Sequence, residues 1–160
     1  MTSPTTIDPR GPRFAAGLTS VVLATVLVTA PSALSLVLLG AQTAVFAVGA
    51  TAGLQRAPYG VLFRRLVRPR LSPPAHLEAE APPRFAQLVG FGFAGVGTLA
   101  LLVGAPAVAL AAVALALAAA FLNAAFGFCL GCEVYLTGRR VLGARSAAPA
   151  LSPAREDAPA

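Results

Sequence analysis

The only two cysteines of the chain, Cys129 and Cys132, form a Cys-x-x-Cys pair where the last apolar run ends. Two thiols at this spacing can exchange a disulfide or carry sulfur with a partner protein. They can also supply half of a zinc site that a second copy of the chain completes, since structural zinc takes four ligands. In a third interpretation both are small apolar side chains near a helix end. We rank the redox or sulfur-transfer interpretation first, with Cys129 and Cys132 as the catalytic candidates.

The local geometry of this pair leaves two alternatives open. A helix running unbroken through Cys132 puts the thiols at its negative end, and side chains three positions apart then have Cβ atoms about 5–6 Å apart, too far for a disulfide. If instead Gly127 ends one helix and another begins near Cys129, the positive helix N-terminus favours thiolate. The intervening Leu130-Gly131 and the lack of a βαβ pattern exclude a thioredoxin fold. In the cytoplasm the resting pair should be the dithiol.

The elements that must position these thiols are four apolar runs, each close to the length of about 20 residues that crosses a bilayer. The runs cover residues 14–30, 33–53, 85–104 and 107–128. Tight turns at Pro31 and Pro106 join them in pairs. The sequence therefore predicts an all-α membrane protein, with four transmembrane helices arranged as two antiparallel hairpins in one domain over residues 13–143.

The spans contain few polar side chains. None carries a deeply placed ionisable residue, which argues against an ion-driven transporter. Asn123 is the strongly polar residue of the fourth span, and we predict a structural hydrogen bond from it to Gln42, Thr43 or Gln87. The third span matches the dinucleotide fingerprint G-x-G-x-x-G within residues 90–97, but glycines inside a lipid-length helix favour close helix packing instead.

The charged residues flank the spans. The net charge of +6 comes from arginine alone, and this placement indicates lipid anchoring, not nucleic-acid binding. Arginines occur at both termini and between the second and third spans, so the positive-inside rule predicts that these three regions are cytoplasmic. We therefore expect a multi-pass membrane protein with both termini and the thiols at its cytoplasmic face. The candidate partner-binding or lipid-binding residues are Arg64, Arg65, Arg68, Arg139 and Arg140.

Three segments lie outside the spans. Residues 59–68 place apolar side chains at helical spacing opposite arginines, which predicts a short amphipathic helix at the membrane surface or against a partner. Residues 1–12 are expected to be flexible and residues 146–160 to form a disordered tail. His76 and two nearby carboxylates on a proline-rich loop lack fixed geometry, and we predict no metal site within the chain.

The two halves of the chain resemble each other. Pro12-Arg13-Phe14-Ala15 recurs as Pro83-Arg84-Phe85-Ala86, and each is followed by a span, a proline turn and a second span. This pattern indicates duplication of a two-helix hairpin, with the halves related by an axis along the membrane normal.

Three stretches carry a resemblance to a known family. They are residues 7–14, residues 82–87 and residues 122–135, the last reading Leu-Asn-Ala-Ala-Phe-Gly-Phe-Cys-Leu-Gly-Cys-Glu-Val-Tyr. Together they resemble the bacterial membrane family called domain of unknown function 4395, over residues 7–140. The resemblance implies a thioredoxin-like protein or a sulfurtransferase as the partner of Cys129 and Cys132.

We therefore expect a membrane protein whose thiols exchange with a soluble partner at the cytoplasmic face. The isolated chain is not expected to act as an enzyme, and no bound cofactor is expected. Zinc shared through Cys129 and Cys132 is the minor alternative, and it would make the protein a homo-oligomer. The competing hypothesis is a non-catalytic membrane subunit, or a passive conduit for a small solute, in which the cysteines are structural.

Overall fold

The computed structural model describes residues 5–146, with side chains through residue 142. Over this range the chain is helical apart from one short strand pair and the connections. The helices are α1 (Arg10–Thr29), α2 (Ala33–Ala52), α3 (Pro58–Leu62), α4 (Ala81–Leu102), α5 (Pro106–Phe126) and α6 (Leu130–Ser146). The strands are β1 (Thr6–Ile7) and β2 (Glu78–Ala79), paired antiparallel.

The four predicted spans are confirmed as four long apolar helices. Helices α1, α2, α4 and α5 have 20 to 22 residues each and are apolar enough to cross a membrane. Two of them begin about four residues earlier than predicted, because Pro12 and Pro83 lie in the first turn of α1 and α4. Proline is tolerated there since the first amides of a helix have no partner within the helix.

The two hairpins pack across each other. Only three residues separate α1 from α2, and three separate α4 from α5. Ser32 caps α2 by accepting a hydrogen bond from the Ser35 amide at 3.1 Å. Helix α2 packs most extensively on α4, and α1 on α5, so the four helices form one bundle.

The tightly packed core occupies the half of the bundle next to these two turns. Leu23, Val26, Leu39 and Val113 are at most 1% exposed there. A Cβ at Gly97 would lie 3.1 Å from a Leu39 methyl, so glycine allows α4 to approach its neighbours closely. Small residues on α4 thus leave room for the larger side chains of α2 and α5.

The polar contacts of the core come from residues other than Asn123. The Gln42 amide donates to the Thr19 hydroxyl at 3.3 Å, and the Tyr59 hydroxyl donates to Gln42 Oε1 at 2.8 Å. Thr43 and Thr98 share a hydrogen bond of 3.1 Å between α2 and α4. These bonds satisfy polar groups that lipid would leave unpaired.

The N-terminal segment lies against the bundle from Thr5 onward, and the flexibility predicted for residues 1–12 stays a prediction. The Glu80 amide donates to the Thr5 carbonyl at 2.9 Å, and Ile7 and Asp8 are buried. Strand pairing and burial together position this segment. Residues 1–4 lie outside the described part of the chain, as does the predicted tail beyond Ser146.

The predicted amphipathic segment, residues 59–68, is helical but irregular. Helix α3 continues as a π-helical turn over Phe63–Val67 and a 3₁₀ turn over Arg68–Arg70. Phe63 is buried against α1, with its ring 5.8 Å from that of Phe14. Leu62 and Leu66 remain 38% and 51% exposed, which leaves an apolar face beside the exposed arginines.

Candidate redox site

The chain breaks its helix immediately before the cysteines. Helix α5 ends at Gly127, which adopts a left-handed conformation with φ 70° and donates its amide to the Asn123 carbonyl at 3.0 Å. Glycine takes this conformation without steric cost and commonly terminates helices. Of the two alternatives left open by the sequence, the structure has the one in which Gly127 ends the helix.

Both cysteines consequently lie at the N-terminus of α6. Cys129 directly precedes the first helical residue and Cys132 is in the first turn. The Cys132 amide donates to Cys129 Sγ at 3.3 Å, and the Glu133 amide donates to the Cys129 carbonyl at 3.0 Å. A sulfur atom that accepts an amide at a helix N-terminus is stabilised in its thiolate form when reduced.

The two sulfur atoms are bonded to each other as a disulfide. The Cα atoms are 5.2 Å apart, within the usual range of about 4.4–6.8 Å for a disulfide. Each cysteine is partly buried. This is the oxidised form of the pair, and the helix N-terminus that accommodates it also suits the reduced form, so the geometry permits both.

Gly131 determines where this helix start lies. A Cβ there would lie 2.7 Å from both Cα and Cβ of Ala86, which is closer than real Cβ atoms approach. Only glycine therefore allows α6 to begin directly on α4. The second ring contact of the structure, 5.7 Å between Phe85 and Tyr135, holds the same two helices together.

A cavity of about 360 Å³ extends from Cys129 into the bundle. It lies among α1, α4, α5 and the start of α6, on the side away from the packed core. Small side chains on α5, such as Ala116 and Ala120, leave this space open. Its size falls in the range of small-molecule sites, about 300–1,000 Å³.

Asn123 lines this cavity, as does Gln87. Across the side chains that the structure describes, Asn123 forms none of the predicted hydrogen bonds to Gln42, Thr43 or Gln87. Gln42 instead bonds to α1 and α3, and Thr43 to Thr98. Other residues make the hydrogen bonds between these helices, and a structural role for Asn123 stays a prediction.

The predicted arginines are exposed and lie outside the long apolar helices. Arg139 and Arg140 are exposed about two turns beyond Cys132, and Arg65 and Arg68 are exposed beside α3. Arg64 donates to the Gln55 carbonyl at 2.9 Å. The structure brings neither group into a hydrogen bond with the cysteines among the described residues.

Arg13 is the basic residue that sequence reasoning missed. Its Nη2 lies 3.5 Å from the Ala124 carbonyl, and its guanidinium lies against Gly127, just before the cysteines. Arg84 makes the corresponding contacts at the end of α2, with bonds of 2.9 Å to Ala50 and 2.8 Å to Thr51. The repeated Pro-Arg-Phe-Ala motif was the signal, since in each copy the arginine reaches the C-terminal carbonyls of the helix from the other hairpin.

Metal-binding side chains are not grouped in the described part of the chain. No set of three His, Cys, Asp or Glu residues that could hold an ion occurs there. His76 and Glu78 form an exposed pair 3.4 Å apart. A zinc site shared between copies of the chain stays a prediction.

Comparison with known proteins places the chain in a family. No curated protein and no solved structure matches it. The family model described as domain of unknown function (DUF4395) matches residues 7–140, which include α1 to α5, the Cys-x-x-Cys pair and most of α6. The expected resemblance is confirmed, and the chain is a member of the DUF4395 family.

Proposed function

We propose that this protein is a membrane-embedded thiol–disulfide exchange partner that uses Cys129 and Cys132. The observation that carries the proposal is that both cysteines sit, bonded together, at the N-terminus of α6 after a glycine break. Two buried structural cysteines would need no such break and would not be brought to a site that favours thiolate.

The chemistry is ordinary disulfide exchange. A thiolate of the partner attacks one sulfur of the disulfide and forms a mixed disulfide, and the second partner thiol then releases the reduced pair. The partner leaves oxidised by two electrons, and Cys129 and Cys132 become thiols. With a sulfurtransferase the reduced pair reacts: a cysteine thiolate attacks the outer sulfur of the partner's persulfide, the partner's S–S bond breaks, and the partner leaves as a thiol while the cysteine becomes a persulfide.

The docking surface in this proposal is the arginine-bearing end of the bundle. Exposed arginines lie on α6, which carries Cys132, and on the segment after α3, and Leu66 and Val134 are also 51% and 60% exposed. Such a surface suits a soluble thioredoxin-like protein or sulfurtransferase, and the same arginines suit anionic lipid.

We place this end in the cytoplasm of a bacterial cell. The eleven arginines of residues 5–146 all lie where α1 and α4 begin, where α2 and α5 end, or beyond these points. The two short turns at the other end carry no charge. Positive residues are retained on the cytoplasmic side of a plasma membrane.

Mixed-disulfide trapping tests the proposal directly. In cells, Cys129→Ser and Cys132→Ser each leave one thiol, and the variant that retains the attacked sulfur should accumulate a reducible adduct with a thioredoxin-like protein or sulfurtransferase, identified by mass spectrometry. The Cys129→Ser/Cys132→Ser double variant is the matched control and should capture nothing. Two single variants without an adduct, and a double variant that behaves as wild type, would refute the proposal.

A passive conduit through the bundle is the weaker function. A conduit needs a continuous path, and the half of the bundle beyond the cavity is filled by Leu23, Val26, Leu39 and Val113. Solute uptake that survives the loss of both cysteines would favour it.

A further inference from the structure

We propose that the cavity beside Cys129 binds the head group of a lipid-soluble quinone, which takes the electrons of the reduced cysteine pair. The inference rests on the proposed thiol exchange and names the oxidant that restores the disulfide. It follows from the position of the cavity, from its lining and from the way it opens.

The cavity extends from the cysteine pair to the middle of the long apolar helices. Cys129 lies at one end, and Leu115 in the middle of α5 lies on its wall. A molecule occupying it would reach the sulfur atoms without leaving the span of the bundle. An occupant that dissolves in lipid is therefore favoured over one that dissolves in water.

The rim of the cavity reaches the outside of the bundle at the level of the hydrocarbon. Val89, Phe93 and Leu115 line the cavity, and they are also 37%, 37% and 60% exposed. All three lie near the middle of α4 or α5. Entry is thus lateral, from the bilayer, which is how a quinone would arrive.

The lining matches a flat ring with two carbonyl groups. No Asp, Glu, Lys, Arg or His is among the described residues that line the cavity, and Phe46 and Phe93 provide aromatic faces. Gln87 and Asn123 contribute amide donors to the wall, and a quinone oxygen is an acceptor. Within residues 5–142 neither amide makes a side-chain hydrogen bond to another protein group, so both are free to donate.

An acyl chain would fit the apolar part of the cavity but would leave these donors unused. A polar group kept from water without a partner costs on the order of 1–3 kcal/mol. The two amides therefore favour an occupant with oxygen acceptors over a hydrocarbon tail.

The electron balance of the step is complete. Cys129 and Cys132 lose two S–H bonds and gain the S–S bond, releasing two electrons and two protons. The quinone takes up both, and its two carbonyl oxygens become the hydroxyls of a quinol. Combined with the proposed exchange, a partner dithiol is oxidised and a quinone is reduced.

Binding is tested separately from thiol chemistry. The Cys129→Ser/Cys132→Ser variant in lipid nanodiscs is photolabelled with an azidoquinone in competition with decylubiquinone. We expect labelled peptides from α4 and α5, at the level of Phe93 and Asn123. The Ala120→Phe change fills the cavity and should lower labelling about tenfold or more, equivalent to about 1.4 kcal/mol. Ala118→Phe on the exposed face of α5 is the matched control and should label as the parent does.

Electron transfer is tested with the reduced wild-type protein under anaerobic conditions. Addition of decylubiquinone should yield one quinol for each disulfide formed, read from quinone absorbance and from thiol titration. Asn123→Leu, which keeps a similar volume, should raise the KM for quinone with a smaller effect on kcat because it removes a donor to the bound ring. This variant also covers the case in which Ala120→Phe fails to fold.

The possible outcomes separate the two proposals. Labelling that phospholipid suppresses as well as decylubiquinone does, or labelling unchanged in Ala120→Phe, overturns the quinone site. Quinone that binds without oxidising the thiols overturns it as an electron acceptor. In both cases capture of a partner by a single cysteine variant would still support thiol exchange. Quinone reduction without any partner adduct would instead support a quinone site in the cavity and would contradict the proposed exchange with a partner protein.

Discussion

Each half of the bundle consists of two long helices joined by a three-residue turn, and the two halves differ at the point where each hairpin ends. In the first half, Gly53 (φ 93°) ends α2, and α3 follows with Ala57 just before it and Gly60 in its first turn. In the second, Gly127 (φ 70°) ends α5, and Cys129 and Cys132 occupy the corresponding places of α6. The same helix break therefore supports two thiols in one half and none in the other.

The packing beside the two breaks differs as well. Seven residues before the terminal glycine, α2 carries Phe46 and α5 carries Ala120. Phe46 is 7% exposed and its ring lies against Gly90, where an added Cβ would approach it to 2.8 Å. Ala120 leaves its space open, and the cavity next to Cys129 results. At this position one half thus carries a packed aromatic ring, and the other carries a small side chain beside the reactive pair.

The largest loss of stability is expected when the Phe46 ring is removed. Phe46→Ala should lower the free energy of unfolding by about 2–3 kcal/mol, below the 3–5 kcal/mol of soluble cores because lipid is as apolar as the bundle interior. Phe121→Ala, at a position that is 54% exposed, is the control and should change little. Steric-trap or denaturant unfolding in bicelles gives the comparison, and equal losses in the two variants would contradict it.

Introducing two cysteines at the helix break after Gly53 tests why the natural pair follows the break at Gly127. A Cβ at Gly60 would collide with the Leu54 carbonyl oxygen. The Ala57→Cys/Gly60→Cys variant should therefore lose about 1–3 kcal/mol of stability through overpacking. It should also form no disulfide by mass spectrometry after mild oxidation. Gly92→Ala, where an added Cβ meets open space, is the control. A stable variant with an intact new disulfide would show that the two breaks are interchangeable.

The repeated arginines should contribute unequally. Arg84 donates three hydrogen bonds of 2.8–3.3 Å to the end of α2, whereas Arg13 makes one of 3.5 Å to α5. Arg84→Ala should cost about 1.5–3 kcal/mol, and Arg13→Ala clearly less, by the usual strength of charged hydrogen bonds. Arg84→Lys should recover only part of the loss because lysine cannot make the forked contact. Thermal unfolding in one detergent ranks the three variants, and an Arg13 effect as large as that of Arg84 would contradict the geometry.

The smallest effect on stability should come from protonating Asp8 in acid. The corresponding position before α4 is Ala79, which carries no charge. Hydrogen bonds from the Arg10 side chain lower the pKa of Asp8, outweighing the opposing effect of burial. A lowered pKa stabilises the fold above the unfolded value, near pH 4, and the gain is lost as pH falls through the folded pKa. Wild type should therefore have a higher thermal midpoint than Asp8→Asn at pH 7, and the difference should shrink as the pH falls through the folded pKa. A constant difference across this range would contradict the assignment.

Much of the fold was predictable because single residues with strong conformational rules mark its boundaries. Pro31 and Pro106 mark the hairpin turns, and the lengths of the apolar runs give the four spans. The positions of Gly127 and Gly131 suggested a helix break, although the sequence could not choose between a break and a continuous helix. That choice depends on the left-handed conformation of Gly127 and on the contact of Gly131 with Ala86.

The cavity and its polar lining were not predictable from the sequence. They depend on which faces of α1, α4 and α5 meet, and an alanine-rich helix carries little periodic signal to orient it. Asn123 illustrates the limit. The sequence identified it as an unusual polar residue within a span, but its place on the cavity wall depends on how the helices pack in the assembled bundle. The pairing of Thr6–Ile7 with Glu78–Ala79 was missed because two-residue strands have no pattern of their own.

The two three-residue turns at the uncharged end have a practical consequence. With so little chain between helices, that end presents almost no epitope to the compartment it faces. Proteases, antibodies and inserted tags should therefore reach the bundle mainly at the opposite end, where the longer connections and the beginning of α1 lie.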